Sequence, residues 1–427
     1  MISLHKKNRK ERDTMDLNEL FAGFTAINIK MLVMFLIGLT LIYLAIKKDY
    51  EPMLLLPIGF GAILVNLPQS VVKFASANVL DPFVTEFVKS NPGAREIFEK
   101  NLHYLFDTSG QAFKVEPGVL EILLNSGILT ELFPVLIFIA VGAMIDFTPL
   151  LKNPVMIFFG AAAQFGIFAT ILVALALGFD LKVASAIGII GAADGPTAIY
   201  VASKFAKEYF GPISVAAYSY MALVPIIQPP VIKLLTSRNE RLIRMEYKDA
   251  KVSKTVLIIF PIAITIISGI VAPISVPLVG SLMFGNLIRE CGVLERLSKS
   301  AQNELANLVT ILLGITIGST MLAENFLKKE TIWILIMGLI AFVFDTAGGV
   351  LFAKFLNLFR KEKFNPMIGA AGISAFPMSA RVIQKMAQKE DPTNFVLMQA
   401  VSANVSGQLG SIIAGGLILA LVPLLVH

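Results

Sequence analysis

The run Gly191-Ala192-Ala193-Asp194-Gly195-Pro196-Thr197 holds the residues best placed to do chemistry. It lies between two apolar stretches, Ala184 to Ile190 and Ala198 to Val201. A carboxylate at the centre of a membrane helix costs about 2.5–3.5 kcal/mol on insertion scales, so something must offset Asp194. Gly195 and Pro196, the two principal helix breakers, free backbone carbonyls beside it, and Thr197 adds a hydroxyl. The resulting oxygen-rich site suits a hard cation such as Na⁺, or a carboxyl that takes a proton when the cation leaves. The competing reading is a loop between spans with Asp194 solvated; the apolar flanks argue against it.

A second interrupted apolar run extends from Asn365 through Gly369, Ser374 and Pro377 to Arg381. Asn365 and Ser374 are neutral oxygen donors, and Arg381 is a cation seven residues beyond Ser374. Two broken helices facing each other would bring Asp194 near Ser374 and Asn365. Arg381 suits an anionic substrate carboxylate, but snorkelling to a headgroup fits it equally well. Tyr218, Ser219 and Tyr220 precede the Pro225 to Pro230 segment, which contains Gln228; Ser402, Asn404, Ser406 and Gln408 lie in the last apolar run. Aligning these runs sets Tyr220 opposite Asn404, both candidates to line a midplane cavity. A belt aromatic and an interhelical hydrogen bond are their ordinary alternatives. Asp146, just before Thr148-Pro149, reads as a helix-end residue, and Asp345 as a further buried candidate.

The elements that must position these groups are membrane helices. Of the 427 residues, 56% are hydrophobic and only 15% charged, against about 25% charged in a soluble domain. Mean hydropathy is +0.76. Soluble dinucleotide-binding enzymes, nucleic-acid binders and disordered scaffolds are thereby excluded. One cysteine, Cys291, rules out a disulfide framework, and three histidines leave little for a transition-metal centre. The net charge of +6 fits basic cytoplasmic loops. Residues 1–30 read as a basic cytoplasmic tail without a cleavage site.

Apolar runs fall at about 31–46, 53–68, 127–145, 155–178, 183–203, 213–235, 255–272, 276–289, 305–323, 331–353, 366–384 and 396–426. A spanning helix needs about 20 apolar residues, so 53–68 and 276–289 must be re-entrant, packed within protein or extended by polar ends. Residues 71–117 read as an extramembrane insertion with some helix, and 236–254 as a basic linker. The linker separates a first membrane repeat, 31–235, from a second, 255–427. Four motifs of the first return in the second in order: 56–67 at 276–287, 118–123 at 292–297, 139–142 at 315–318, and 190–193 at 368–371. The expected architecture is an all-α polytopic membrane protein with a two-fold, inverted repeat and broken, Gly/Pro-interrupted helices at midplane. Strict inversion conflicts with the basic-loop pattern unless one segment per half fails to cross.

Three separated motifs carry a family resemblance: Gly191 to Thr197, Met221 to Pro230, and Asn365 to Arg381. They resemble the beta subunits of sodium-pumping biotin-dependent decarboxylases, which act on oxaloacetate, methylmalonyl-CoA, glutaconyl-CoA or malonate. The resemblance runs from about residue 31 to the end and implies a carboxybiotin decarboxylase that couples CO₂ loss to Na⁺ export. It implies catalytic roles for Asp194, Tyr220 and Arg381, with Arg381 on carboxybiotin. It implies Na⁺ binding by Asp194, Asn365, Gly369, Ser374, Tyr220 and Asn404. It further implies a trimer, a carboxyltransferase and biotin-carrier partner, and a small membrane anchor (gamma) subunit. Biotin is not expected on this chain, which lacks the Ala-Met-Lys-Met run that accepts it.

Carboxybiotin decarboxylation leaves an ureido nitrogen anion that must be protonated. A carboxyl or phenol whose proton is displaced by Na⁺ can supply that proton. The rivals are a Na⁺-coupled carboxylate transporter that cleaves no bond, and an assembly subunit without a site. Composition, repeat and buried aspartate fit the transporter equally; only the family motifs separate the two.

Overall fold

The computed structural model describes residues 26–48, 50–68, 74–80, 82–91, 93, 104–106, 111–245 and 251–426. Most of the N-terminal tail, residues 246–250 of the linker and much of the insertion lie outside them. Each of the twelve apolar runs contains helix. Among the described residues, five helices are long and apolar enough to cross a membrane: Ile29–Lys48, Pro154–Ala176, Lys254–Val271, Lys329–Leu358 and Leu397–Leu425. Two more candidates are bent pairs, Val119–Leu129 with Leu132–Met144 at 61° and Lys207–Ala222 with Val224–Leu235 at 69°. The chain is a multi-pass membrane protein with a helical membrane body.

The short apolar helices are covered by protein. Pro52–Val65 has 14 residues, about 21 Å at 1.5 Å per residue, well short of a hydrocarbon core of about 30 Å. It packs between Ile29–Lys48 and Ala306–Ser319, while Val276–Glu290 packs between Leu132–Met144 and Lys254–Val271. The two crossings are built alike. At one, Gly61 lies on the Ile315 carbonyl and Gly318 on the Ile58 carbonyl; at the other, Gly285 lies on Ile139 and Gly142 on Leu282. No side chain fits between such backbones, so glycine is required on both sides. Buried amides latch both pairs. Asn66 Nδ2 donates to the Met321 carbonyl at 2.8 Å, and Asn286 Nδ2 to that of Ile145 at 2.9 Å. The recurring motifs at Gly118 and Gly292 each lead through a short helix into a π-helical turn, Leu124–Leu129 and Ala301–Leu305.

The insertion is expected to hold some helix, and the structure adds strands to it. It holds the helix Pro82–Ser90, but also three antiparallel strands, β1 (Phe74–Leu80), β2 (Tyr104–Phe106) and β3 (Ala112–Pro117), in the order β1-β3-β2. Tyr104 pairs with Lys114, and Leu80 with Phe113. In β3 the apolar Phe113 and Val115 alternate with Lys114 and Glu116, the period of a two-faced strand.

The basic linker folds onto the end of the helix Met378–Glu390. Ser237 and Glu240 form a capping box. Arg241 pairs with Glu390 at 2.8 Å, Arg244 with Asp391 at 2.7 Å and Lys354 with Glu240 at 3.1 Å. Asp146 caps the turn at Thr148, in agreement with its helix-end reading.

Candidate functional site: two helix breaks joined to the last helix

The first break follows the helix Leu181–Gly188. A 3₁₀ turn, Ile189–Ala192, ends in Ala193 at φ 52°, and the next helix, Gly195–Phe205, starts with Asp194 as its N-cap. A left-handed alanine is uncommon and marks a backbone held by its surroundings. Pro196 falls in the first turn, where a missing N–H costs nothing. Asp194 is only 3% exposed. Its Oδ1 accepts from the Thr197 amide at 3.3 Å, and its Oδ2 from Thr197 Oγ1 at 2.7 Å, Gln408 Nε2 at 3.1 Å and Ser411 Oγ at 2.7 Å. All four donors are neutral, so the carboxylate has hydrogen bonds but no countercharge among them. The Tyr218 ring lies so close to Gly195 that a Cβ there would strike it.

The second break separates Met367–Ala370 from Met378–Glu390, with a cis peptide bond at Phe376-Pro377. It is bonded directly to the first: the Ser374 amide donates to the Ala192 carbonyl at 2.9 Å. Ser374 Oγ donates to the Gly407 carbonyl at 3.0 Å, and Asn404 Nδ2 to the Ile373 carbonyl at 2.6 Å. Gln228 Nε2 and Ser379 Oγ both reach the Ala370 carbonyl, at 2.8 and 3.2 Å. The helix Leu397–Leu425 thus holds one break through Gln408 and Ser411 and the other through Asn404 and Gly407.

The oxygens around these breaks suit a hard cation. Asn404 Oδ1 and Tyr218 Oη are buried with no hydrogen-bond partner in the described residues. An unpartnered buried polar atom is costly. Oxygens of this kind, together with a carboxylate, are the donor chemistry of an alkali-cation site.

Arg381 lies elsewhere on the same helix as the second break. It is exposed and lines an open groove of about 470 Å³ with Lys233, Lys385, Lys389 and Glu390. Three helical residues past Met378 correspond to about 5 Å of helix axis. The groove opens beside the linker, where Arg241 holds the Glu390 carboxyl below the usual carboxylate range. There the Thr393 hydroxyl and amide, with Arg244, bring Asp391 down to about 2.

Of the sequence-predicted residues, Asp194, Ser374 and Asn404 therefore come together. Asn365 does not join them: its Nδ2 donates to the Arg241 and Ile243 carbonyls of the linker, both at 2.9 Å. Gly369 is packed on Gly349. Tyr220 donates to the Leu335 carbonyl at 2.5 Å, so it is Tyr218 that touches the Asp194 turn. Ser411 and Ser379 were missed by the sequence reading. Residues 404, 408 and 411 share one helical face, a spacing that points from Asn404 and Gln408 to Ser411.

Residues 30–422 match the family model described as Na⁺-transporting oxaloacetate decarboxylase beta subunit. The chain belongs to that family. It is 48% identical to the methylmalonyl-CoA decarboxylase subunit beta of Propionigenium modestum, over 93% of this chain and 96% of the relative. It is 47% identical to the glutaconyl-CoA decarboxylase subunit beta of Acidaminococcus fermentans, over 94% and 96%. A probable oxaloacetate decarboxylase beta chain of Vibrio cholerae is 46% identical over 91% and 94%. As a decarboxylase beta subunit of the Na⁺-transporting family, it couples decarboxylation to Na⁺ export as one chain of a multi-subunit enzyme. The transporter without bond cleavage is not the reading these matches favour.

Proposed function

We propose that this subunit decarboxylates carboxybiotin presented by a partner chain, and that Asp194 exchanges Na⁺ for a proton as it does so. The observation that carries this reading is the direct bond between the two breaks, Ser374 amide to Ala192 carbonyl. It ties the Asp194 cage to the helix bearing Arg381. In the reaction the N–CO₂⁻ bond breaks, its electron pair stays on the ureido nitrogen, and one proton is taken up there as CO₂ leaves. Arg381 in the basic groove orients the carboxylate of carboxybiotin, since a guanidinium matches a carboxylate with two parallel hydrogen bonds. Na⁺ and a proton compete for the Asp194 oxygens, so Na⁺ entry releases the proton that the nitrogen needs. Asn404 and Ser374 complete the Na⁺ surroundings. The family resemblance implies Na⁺ binding by Tyr220, Asn365 and Gly369 as well, with a catalytic role for Tyr220.

The architecture that goes with this reading is an inverted repeat, 31–235 and 255–427, joined by the linker 236–254, with both breaks at midplane. The matched glycine crossings and paired Asn66 and Asn286 bonds support it. The basic groove and linker face the cytoplasm of a bacterial or archaeal cell. The tail 1–30 shares that side, and the insertion 71–117 stands outside the bilayer. The partners are a carboxyltransferase and biotin-carrier subunit and a small gamma anchor, in a complex built on a trimer of this chain.

The test uses proteoliposomes holding this subunit with its partners and free carboxybiotin. The expected result is Na⁺-stimulated CO₂ release that Asp194→Asn abolishes. CO₂ release indifferent to Na⁺ would overturn the proposal.

A further inference from the structure

Three of the long apolar helices meet at one end around an open pocket of about 460 Å³. Lys329–Leu358 ends there, Pro154–Ala176 and Leu397–Leu425 begin there, and Ile157–Ala163 packs against both of the others. Lys152, Arg244, Arg360 and Lys363 line the pocket against one carboxyl, Glu362, among the described residues. It shares no lining residue with the groove that holds Arg381.

The cations are held in place by their surroundings. Asn357, in the last turn of its helix, folds the following segment back: its Nδ2 donates to the Phe364 carbonyl and its Oδ1 accepts from the Phe364 amide, both at 2.8 Å. Within that segment Arg360 Nε donates to the Glu362 carbonyl at 3.2 Å, and the guanidinium lies 4.3 Å from the centroid of the buried Phe364 ring, a cation–π contact. Arg244 Nη2 donates to Asp391 and Thr393, at 2.7 Å each. Met398 and Ser402 bring the start of a 29-residue helix to the wall, with no side chain capping it at Val396. The positive end of that helix adds to the field of the four side chains.

Such a wall selects an anion, and its position says which kind. Along the spans leading away from the pocket the side chains are apolar and exposed. Phe355 and Phe359 stack edge to face at 5.3 Å on one span, and Ile157 and Phe158 are 50% and 59% exposed on another. A free anion or an acidic protein segment gains nothing from those flanks. A phospholipid sets its phosphate at the level of the helix ends and its chains along the exposed apolar turns, and basic pockets between helix ends are suited to anionic headgroups.

We infer that this pocket binds the headgroup of an anionic phospholipid, its phosphate held by the Lys152, Arg244, Arg360 and Lys363 cluster and its acyl chains lying along the apolar turns beside it. The site is separate from the Na⁺ exchange and from the carboxybiotin groove, and it depends on neither proposal.

The test is native mass spectrometry of the intact complex released from nanodiscs of equimolar phosphatidylcholine and phosphatidylglycerol. Wild type is expected to retain phosphatidylglycerol in preference, and Arg360→Gln with Lys363→Gln to lower that retention about tenfold or more. A control pair, Lys328→Gln with Lys329→Gln, removes the same charge at the opposite end of Lys329–Leu358 and is expected to retain lipid as wild type does. Unchanged retention in the first pair, or equal loss in both, overturns the inference. So does displacement of the lipid by inorganic phosphate, which would mark a free-anion site, or loss of a partner subunit from the first pair with the lipid kept, which would mark a protein contact. Should the first pair fail to assemble, wild type crosslinked to photoactivatable phosphatidylglycerol decides. Adducts within 149–158, 355–364 or 395–402 support the site, and adducts only elsewhere overturn it.

Discussion

The two helix breaks each adjoin one of the recurring Ile-Gly-Ala-Ala runs, 190–193 and 368–371, yet they differ in charge and in access. The break at Ala193 carries a carboxylate, buried and bonded to four neutral donors. The break at Gly372 to Pro377 carries only neutral groups, and its cation, Arg381, is displaced along the next helix into an open groove. The difference teaches how one fold can separate two tasks. In the proposed mechanism the enclosed break would hold the ion among buried oxygens, and the open groove would receive the larger charged substrate. The Ser374 to Ala192 bond ties the two breaks directly to each other.

The comparison breaks most completely at Asp194. Asp194→Asn keeps the volume and the hydrogen-bond reach but not the charge, and is expected to lower Na⁺-dependent CO₂ release on the order of a hundredfold or more. Assembly of the complex, followed by gel filtration, should persist. Substitution in the tight core of the second break tests the coupling from the other side. A Cβ at Gly407 would collide with the Gly372 carbonyl, so Gly407→Ala is expected to cost about 2 kcal/mol or more, read as a lower temperature of detergent-solubilised unfolding.

Arg381→Gln should act at the open groove and leave the cage intact. Loss of a charged hydrogen bond of about 1.5–3 kcal/mol predicts a rise in KM for carboxybiotin of roughly tenfold or more. The apparent Na⁺ affinity should be unchanged in the same assay; a joint loss would show that groove and cage are one site. Ser374→Ala removes a single hydroxyl donor and keeps the backbone bond to Ala192, so about 1 kcal/mol is expected in the same unfolding assay.

The smallest effect belongs to the clamp beside the groove. Asp391 lies at about 2 because Thr393 and Arg244 favour its ionised form, against about 3.9 when unfolded. A lowered carboxyl contributes stability that is present above the unfolded value and lost as pH falls through the folded one. The linker 236–245 should therefore stay protected from protease at neutral pH and open as pH drops from about 4 to about 2. Asp391→Asn should weaken that pH dependence, leaving the part carried by the Arg241–Glu390 pair.

Much of this was written in local sequence. Twenty-residue apolar runs specify membrane helices because lipid leaves backbone groups no other partner. A charged residue next to Gly-Pro marks an interrupted helix for the same reason, so the Asp194 break and the run through Ser374 were both legible. The sheet in the insertion was not, because its strands are short, and the alternation that β3 shows over 113–116 is absent from the three-residue β2 and the Phe-Ala-Ser-Ala run of β1. Nor was the placement of side chains within the site. Asn365 is one helix away from Ser374 in sequence, but the linker's carbonyls capture its amide. Tyr218 and Tyr220 are two residues apart and about 200° around a helix, and packing turned the first toward Gly195 and the second toward Leu335.

The sequence determined that this chain enters a membrane, where it must bend, and which charged groups must be sheltered. Those outcomes follow from solvation and backbone hydrogen bonding, which act residue by residue. Only the tertiary structure decided who shelters whom: that Gln408 and Ser411, more than two hundred residues away, donate to Asp194, and that Asp345 faces the back of the same turn. Such partners are chosen by how helices cross, and a crossing depends on close backbone approach between distant segments, which no local pattern records.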